Sequence, residues 1–138
     1  MSNSSLKIQT ILGLDPGRDK CGMAVMNDEQ RLAYHQIIDS QKAIATIQKL
    51  VEEFAIDLIV MGDGTTSKIW QQQIESIATI PVVKIDEANS TLEARDRYWI
   101  MYPPKGLQRM IPLGLRIPPR PVDDIVAILL IERYLDLN

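Results

Sequence analysis

Ile11-Leu12-Gly13-Leu14-Asp15-Pro16-Gly17, followed three residues later by Cys21-Gly22-Met23-Ala24-Val25-Met26, is the stretch that decides the fold. The apolar, β-branched run from Ile8 to Asp15 reads as a buried strand, and Asp15-Pro16-Gly17 breaks it. Strand character resumes over 21–26. Asn27-Asp28-Glu29-Gln30 is polar enough for a hairpin turn, so Arg31 to Ile38 is the returning strand. Three consecutive strands therefore open the domain.

Beyond them the period changes. In Ser40 to Phe54 the apolar positions Ile44, Ile47, Leu50, Val51 and Phe54 fall at helical spacing. Asp57 to Met61 is a short apolar strand closed by Gly62-Asp63-Gly64, and Thr66 to Ile77 is helical through Ile69, Trp70, Ile74 and Ile77. Pro81 to Asp86 is another strand, and Ser90-Thr91-Leu92-Glu93 is a capping-box pattern that opens a helix to about Met101. Tyr102 to Pro121 then holds six of the chain's eight prolines and cannot be regular helix or central strand. A loop of that length is usually functional or disordered. Pro121 is placed as the first residue of the last helix, which runs to about Leu135. The order β-β-β-α-β-α-β-α-α predicts an α/β fold: a mixed five-stranded sheet flanked by helices. Right-handed crossovers make the strands ending at Asp15, Met61 and Asp86 parallel, with their carboxyl ends on one edge.

A chain of 138 residues has room for one domain, 8–138, preceded by a polar start, 1–7, expected to be disordered. No apolar run approaches a membrane span, and nothing resembles a signal peptide. The lone Cys21 excludes an intrachain disulfide and a cysteine-based zinc site, and a reducing, cytoplasmic setting is the simplest reading. Net charge is −3, but it is unevenly spread. From Arg95 to Arg120, six basic residues stand against the single acid Asp96, so this segment carries +5 and the remainder −8. Lys105, Arg109, Arg116 and Arg120 are the phosphate-binding candidates of that segment.

The carboxyl edge of an open α/β sheet is where ligands bind. Acids stand there after each parallel strand: Asp15, then Asp63, then Asp86-Glu87. Converging carboxylates repel unless protons or a cation intervene, and Mg²⁺ or Mn²⁺ needs only two or three of them plus water. Asp63 reads better as part of a Gly-Asp-Gly turn. Asp15 ends a strand expected to be central, where an unpaired carboxylate is costly. Arg18 and Lys20, between Gly17 and Gly22, form a loop that a phosphate could approach. Asp123 and Asp124 stand at the entrance of a last helix that is apolar all round from Ile125 to Ile131. The helix dipole accounts for one acid there, and which of the two is a metal ligand stays open. His35 and Cys21 lack the partners of a catalytic triad and read as structural.

Four blocks together resemble the YqgF (RuvX) family of ribonuclease H-like proteins. They are Gly13-Leu14-Asp15-Pro16-Gly17 with Gly22-Met23-Ala24-Val25; Ile59-Val60-Met61-Gly62; Val83-Lys84-Ile85-Asp86-Glu87 with Ser90-Thr91; and Val122-Asp123 running to Tyr134-Leu135. The family is described as Holliday junction resolvases and as nucleases maturing the precursor of small-subunit ribosomal RNA. The resemblance implies a metal-dependent endonuclease with Asp15, Glu87 and Asp123 as carboxylates holding Mg²⁺ or Mn²⁺. It also implies Lys20 as a phosphate contact, DNA junctions or precursor ribosomal RNA as partners, and a homodimer if junctions are cut. Three positions depart from the family pattern. Gly62-Asp63-Gly64 replaces Gly-Leu-Pro, Ala88 replaces an Arg, and the long Pro/Arg loop resembles a variant of cyanobacterial members. The alternative is a non-catalytic nucleic-acid- or ribosome-binding protein on the same fold. An actin-like phosphotransfer domain, suggested by Asp-x-Gly, would need a second domain for which this chain is too short.

Overall fold

Alternation of side chains along the first strands sets the architecture. In the computed structural model, which describes residues 9–137, the elements are β1 (Ile11–Asp15), β2 (Lys20–Met26), β3 (Leu32–Asp39), α1 (Ala43–Phe54), β4 (Leu58–Gly62), α2 (Ser67–Glu75), β5 (Val82–Ile85), α3 (Ser90–Met101) and α4 (Asp123–Leu137). The expectation for 1–7 lies outside the described residues. The sheet order is β3-β2-β1-β4-β5. The first three strands form an antiparallel meander, and β4 and β5 add parallel to β1, as the crossovers require. Both faces of the central strands are covered.

On one face Leu12, Leu14, Cys21, Met23, Val25, Ile59 and Met61 pack with Ala43, Ile47 and Leu50 of α1 and Ile74 of α2. On the other, Ile11, Ala24, Met26, Leu58 and Val60 meet α3 and the run 125–131 of α4. The second face also carries glycines, because a helix lies directly on the strands there. A Cβ on Gly13 would stand 2.4 Å from the Ala127 carbonyl oxygen, and one on Gly22 would stand 1.8 Å from that of Asp123. Only hydrogen fits at either position.

Four local expectations are corrected. A 3₁₀ turn over Ser40–Lys42 precedes α1, so the helix starts at Ala43. α2 ends at Glu75 rather than Ile77, closed by the Ser76 and Ile77 amides bonding to Gln72 and Ile74. The capping box does not form: Asn89 is the N-cap without a side-chain bond, and the Glu93 carboxylate is drawn to Arg133 at 2.6 Å. Pro121 lies outside α4, because its carbonyl accepts a 2.7 Å bond from Arg120 while Val122 accepts the first helical bond from Val126.

The segment between α3 and α4 is an arm with two 3₁₀ turns, Gly106–Met110 and Leu113–Leu115. Leu107, Met110, Leu115 and Ile117 are each more than 70% exposed, so the arm is not folded into the core.

Candidate active site

Strand parity decides where the first acid points. Asp15 continues the series Ile11, Gly13 on the face covered by α4, and it pairs across the ladder with Gly22. Gly22 is also where the Asp123 backbone touches the sheet, so the end of β1 and the start of α4 are brought together by the absence of a side chain. Glu87 arrives from the turn after β5. It lies over the end of β4, where a Cβ on Gly62 would come within 2.7 Å of its Oε2 and one on Gly64 within 2.5 Å of its Oε1. The Gly64 amide donates to the Glu87 carboxylate. The three acids expected to act together thus share one edge.

Their electrostatics follow from that crowding. Burial, then the charges of Asp123 and Glu87, push the pKa of Asp15 up to about 7. Burial and the neighbouring Asp63 and Asp86 raise Glu87, with the Gly64 amide opposing, and burial and Asp124 raise Asp123. Of the three, Asp15 is the one raised furthest. Among the described residues, no three His, Cys, Asp or Glu side chains stand close enough to hold a metal ion as they are. The chemistry of the donor set nevertheless suits a hard divalent cation: carboxylate oxygens, mutually repelling, with water and a phosphate able to complete the shell.

Asp124 belongs to a different arrangement. It is 3% exposed, and its oxygens accept from Arg120 Nη1 at 2.9 Å and bond His35 Nδ1 at 2.6 Å. Burial alone would raise its pKa; the bonds from Arg120 and His35 win and hold it below the usual carboxylate range. The structure therefore separates the two acids at the helix entrance: the charge of Asp123 acts on Asp15, and Asp124 ties the arm to β3.

The basic candidates divide likewise. Lys20 is committed to Asp39 and Arg18 to Asp19, the latter at 3.4 Å, and all four side chains are about half exposed or more. Arg120 packs its guanidinium 5.4 Å from the Tyr98 ring and 5.7 Å from Tyr102 besides pairing with Asp124. Arg116 lies 6.0 Å from the Trp99 ring and donates to the Ile111 and Gln108 carbonyls, which closes the arm on itself. Lys105 and Arg109 are exposed and make no ion pair among the described residues. Tyr98 and Trp99 are buried, so of the aromatics beside the arm Tyr102 is the one offered to solvent.

Sequence reasoning missed two supports. His35 reads from the sequence as structural and without a partner, but its pairing with Asp124 spans 89 residues, beyond any local pattern. Arg133 of α4 reaches the carbonyls of Asp86 and Ala88, at 2.6 and 2.9 Å, on either side of Glu87. An Arg late in an apolar helix gave no hint of it.

Comparison with known proteins gives the family and the fold. The family model RuvX, described as Holliday junction resolvase, matches residues 9–137. A protein of Buchnera aphidicola subsp. Baizongia pistaciae (strain Bp), carrying the provisional name pre-16S rRNA nuclease, is 27% identical over 139 residues, covering 90% of this chain and 94% of that protein. One of Burkholderia ambifaria (strain MC40-6), with the same provisional name, is 28% identical over 109 residues, 68% of this chain and 73% of its own length. Among solved structures, Thermus thermophilus RuvC matches with a TM-score of 0.57 at 16% identity, over 88% of this chain and 89% of its own. RuvC bound to a Holliday junction substrate matches at 0.55 and 15%, over 94% and 96%. These likenesses make the fold ribonuclease H-like, as the RuvC fold is. No described helix is long and apolar enough to cross a membrane. The likeness of the arm to a cyanobacterial variant rests on the sequence alone.

Proposed function

This chain belongs to the RuvX family, and from that premise we propose that it is a metal-dependent endonuclease hydrolysing phosphodiester bonds in branched DNA or in structured precursor ribosomal RNA. The observation that carries the reading is the convergence of Asp15, Glu87 and Asp123 on one sheet edge, with Asp15 raised to about 7 by burial and by the other two. A site that concentrates unneutralised carboxylate is costly to fold and is suited to a cation. Asp15, Glu87 and Asp123 would hold Mg²⁺ or Mn²⁺, with Asp124 withheld by Arg120 and His35. Bound there, such an ion supplies charge neutralisation of the phosphoryl oxygens and activation of a hydrolytic water.

The protein's own residues do the rest. Asp15 keeps or gives up its proton near neutral pH, according to whether positive charge is at hand. The Gly64 amide and the packing of Gly62 fix the direction of the Glu87 carboxylate. Lys105 and Arg109, carried on the arm, bind backbone phosphates beyond the scissile one, with Arg18 and Lys20 as further contacts once their exposed carboxylate partners are displaced. Binding is therefore salt-dependent. On a four-way junction, two symmetric cuts require two copies related by a two-fold axis.

The test is cleavage of four-way DNA junctions and of a structured ribosomal RNA precursor, with Mn²⁺ and with EDTA. Metal-dependent cutting by wild type, lowered by about 10³-fold or more in Asp15→Asn (about 4 kcal/mol of barrier) at unchanged binding, is expected. Salt-sensitive binding without cutting on either substrate would replace this reading with a non-catalytic nucleic-acid- or ribosome-binding protein.

A further inference from the structure

Glu87 stands on a short polar turn between β5 and α3, and little within the turn itself holds it. The Ala88 amide bonds to the Asp86 side chain at 2.9 Å, and the Ser90 amide bonds to the Glu87 carbonyl at 3.1 Å. The Glu87 amide reaches Asp63 only at 3.4 Å. The carbonyls of the two flanking residues, Asp86 and Ala88, take no part in these bonds. Both are taken by a single guanidinium, that of Arg133, with Nη1 on Asp86 and Nη2 on Ala88. Nη2 also meets Glu93 Oε2, the first acid of α3.

We infer that Arg133 is a positioning residue for Glu87: by clasping the carbonyls on both sides of it, Arg133 fixes the turn to α4, the helix that carries Asp123. This deepens the nuclease reading and rests on it. The planar fork of a guanidinium suits the task, because its two arms can each take one carbonyl, whereas a lysine ammonium is a point donor. The brace does not compete for the acid it positions. The Glu87 carboxylate accepts from the Gly64 amide, and no bond joins it to Arg133, so its charge stays available to a cation. α4 thus sets two of the three acids, one by its own first turn and one through Arg133. The Arg97–Glu132 pair, bidentate at 2.9 and 2.7 Å, locks α3 to the same part of the helix.

A plain stability role would act through the Arg133–Glu93 ion pair, which is half exposed at Glu93 and worth little. The test therefore compares Arg133→Met, Arg133→Lys and Glu93→Gln in the full chain, each first checked for native folding. Mn²⁺ affinity is measured by calorimetry, and amide hydrogen exchange at Ala88 and Ser90 is measured on metal-free protein. kcat and KM are measured on whichever nucleic acid the wild type cuts.

For Arg133→Met we expect Mn²⁺ affinity and kcat to fall by about tenfold or more, the range of supports behind metal ligands, with KM within about two-fold. Exchange at Ala88 and Ser90 should rise by about tenfold while β1 and β4 are unchanged. Arg133→Lys should fall between, and Glu93→Gln should match wild type in metal affinity and kcat. If Arg133→Met does not fold, the Lys variant carries the same comparison. Wild-type values for the Arg133 variants, or a loss in Glu93→Gln equal to theirs, would overturn the inference. A wild type that neither binds Mn²⁺ nor cuts would overturn the nuclease reading separately, and the exchange measurement would still decide whether Arg133 braces the turn.

Discussion

The two faces of the central strands are built from the same three segments and could hardly be less alike. Toward α1 and α2 the strands present Leu12, Leu14, Met23, Val25, Ile59 and Met61, large side chains that fill the space between sheet and helix. Toward α4 the intervening residues include Gly13, Gly22, Ala24 and Gly62, so helix backbone rests on strand backbone. The first face is held by volume. The second trades volume for proximity, and it is the one on which carboxylates meet. Its difference teaches that the glycines here are spacers for chemistry: each missing side chain lets an acid-bearing element come closer.

Neighbouring residues of β2 offer the sharpest way to break that comparison. Adding one methyl in Gly22→Ala drives a Cβ to 1.8 Å from a backbone oxygen that cannot move alone. We expect a loss of about 3 kcal/mol in chemical denaturation, at the upper end for overpacking, together with loss of cleavage in whatever remains folded. Removing volume next door, in Met23→Ala, should cost about 2–3 kcal/mol through the cavity left in a fully buried site. Its folded fraction should keep wild-type kcat, and a Met23→Ala protein that folds but cannot cut would show the two faces to be coupled.

The smallest effect has the opposite sign. A carboxyl with its folded pKa raised favours the protonated, acid form, so wild type should lose stability as pH rises from about 4 through about 7. The full shift corresponds to about 4 kcal/mol, and the partial exposure of the site trims the expectation to about 2. Metal-free Asp15→Asn should therefore equal wild type near pH 4 and exceed it by that amount at pH 8, read as the difference in denaturation midpoints. Glu87 and Asp123, both raised, add in the same direction in wild type. A flat difference across that range would mean that neither burial nor the other two acids raise Asp15 in the folded chain.

Much of this was readable in the chain. The meander, the parallel strands and the edge on which Asp15 and Glu87 sit follow from alternation, turn residues and crossover handedness. Local pattern failed where a distant partner outbid it. Ser90-Thr91-Leu92-Glu93 spells a capping box, but Glu93 is claimed by Arg133, 40 residues on. Asp123 and Asp124 are indistinguishable as neighbours in a first helical turn. They separate only when His35 and Arg120 bond to one of them and the charge of the other falls on Asp15. Arg120 and Arg116 count equally with Lys105 and Arg109 in a charge tally, yet the first two are spent on Asp124 and on the arm's own carbonyls. Such competition is settled by tertiary geometry, and a linear sequence does not display it.

The order in which the chain can assemble has its own consequence for the acids. β1, β2 and β3 are joined by short turns, while the β1–β4 ladder joins residues such as Ile11 and Leu58 across a longer loop, and α4 closes on the sheet from the far end of the chain. Loop-closure entropy makes the meander the natural nucleus and the docking of α4 a late event. Asp15 then travels through most of folding without Asp123. That share of the repulsion arrives with the last helix, so it should act on how fast the finished molecule opens and leave the speed of its nucleation largely untouched.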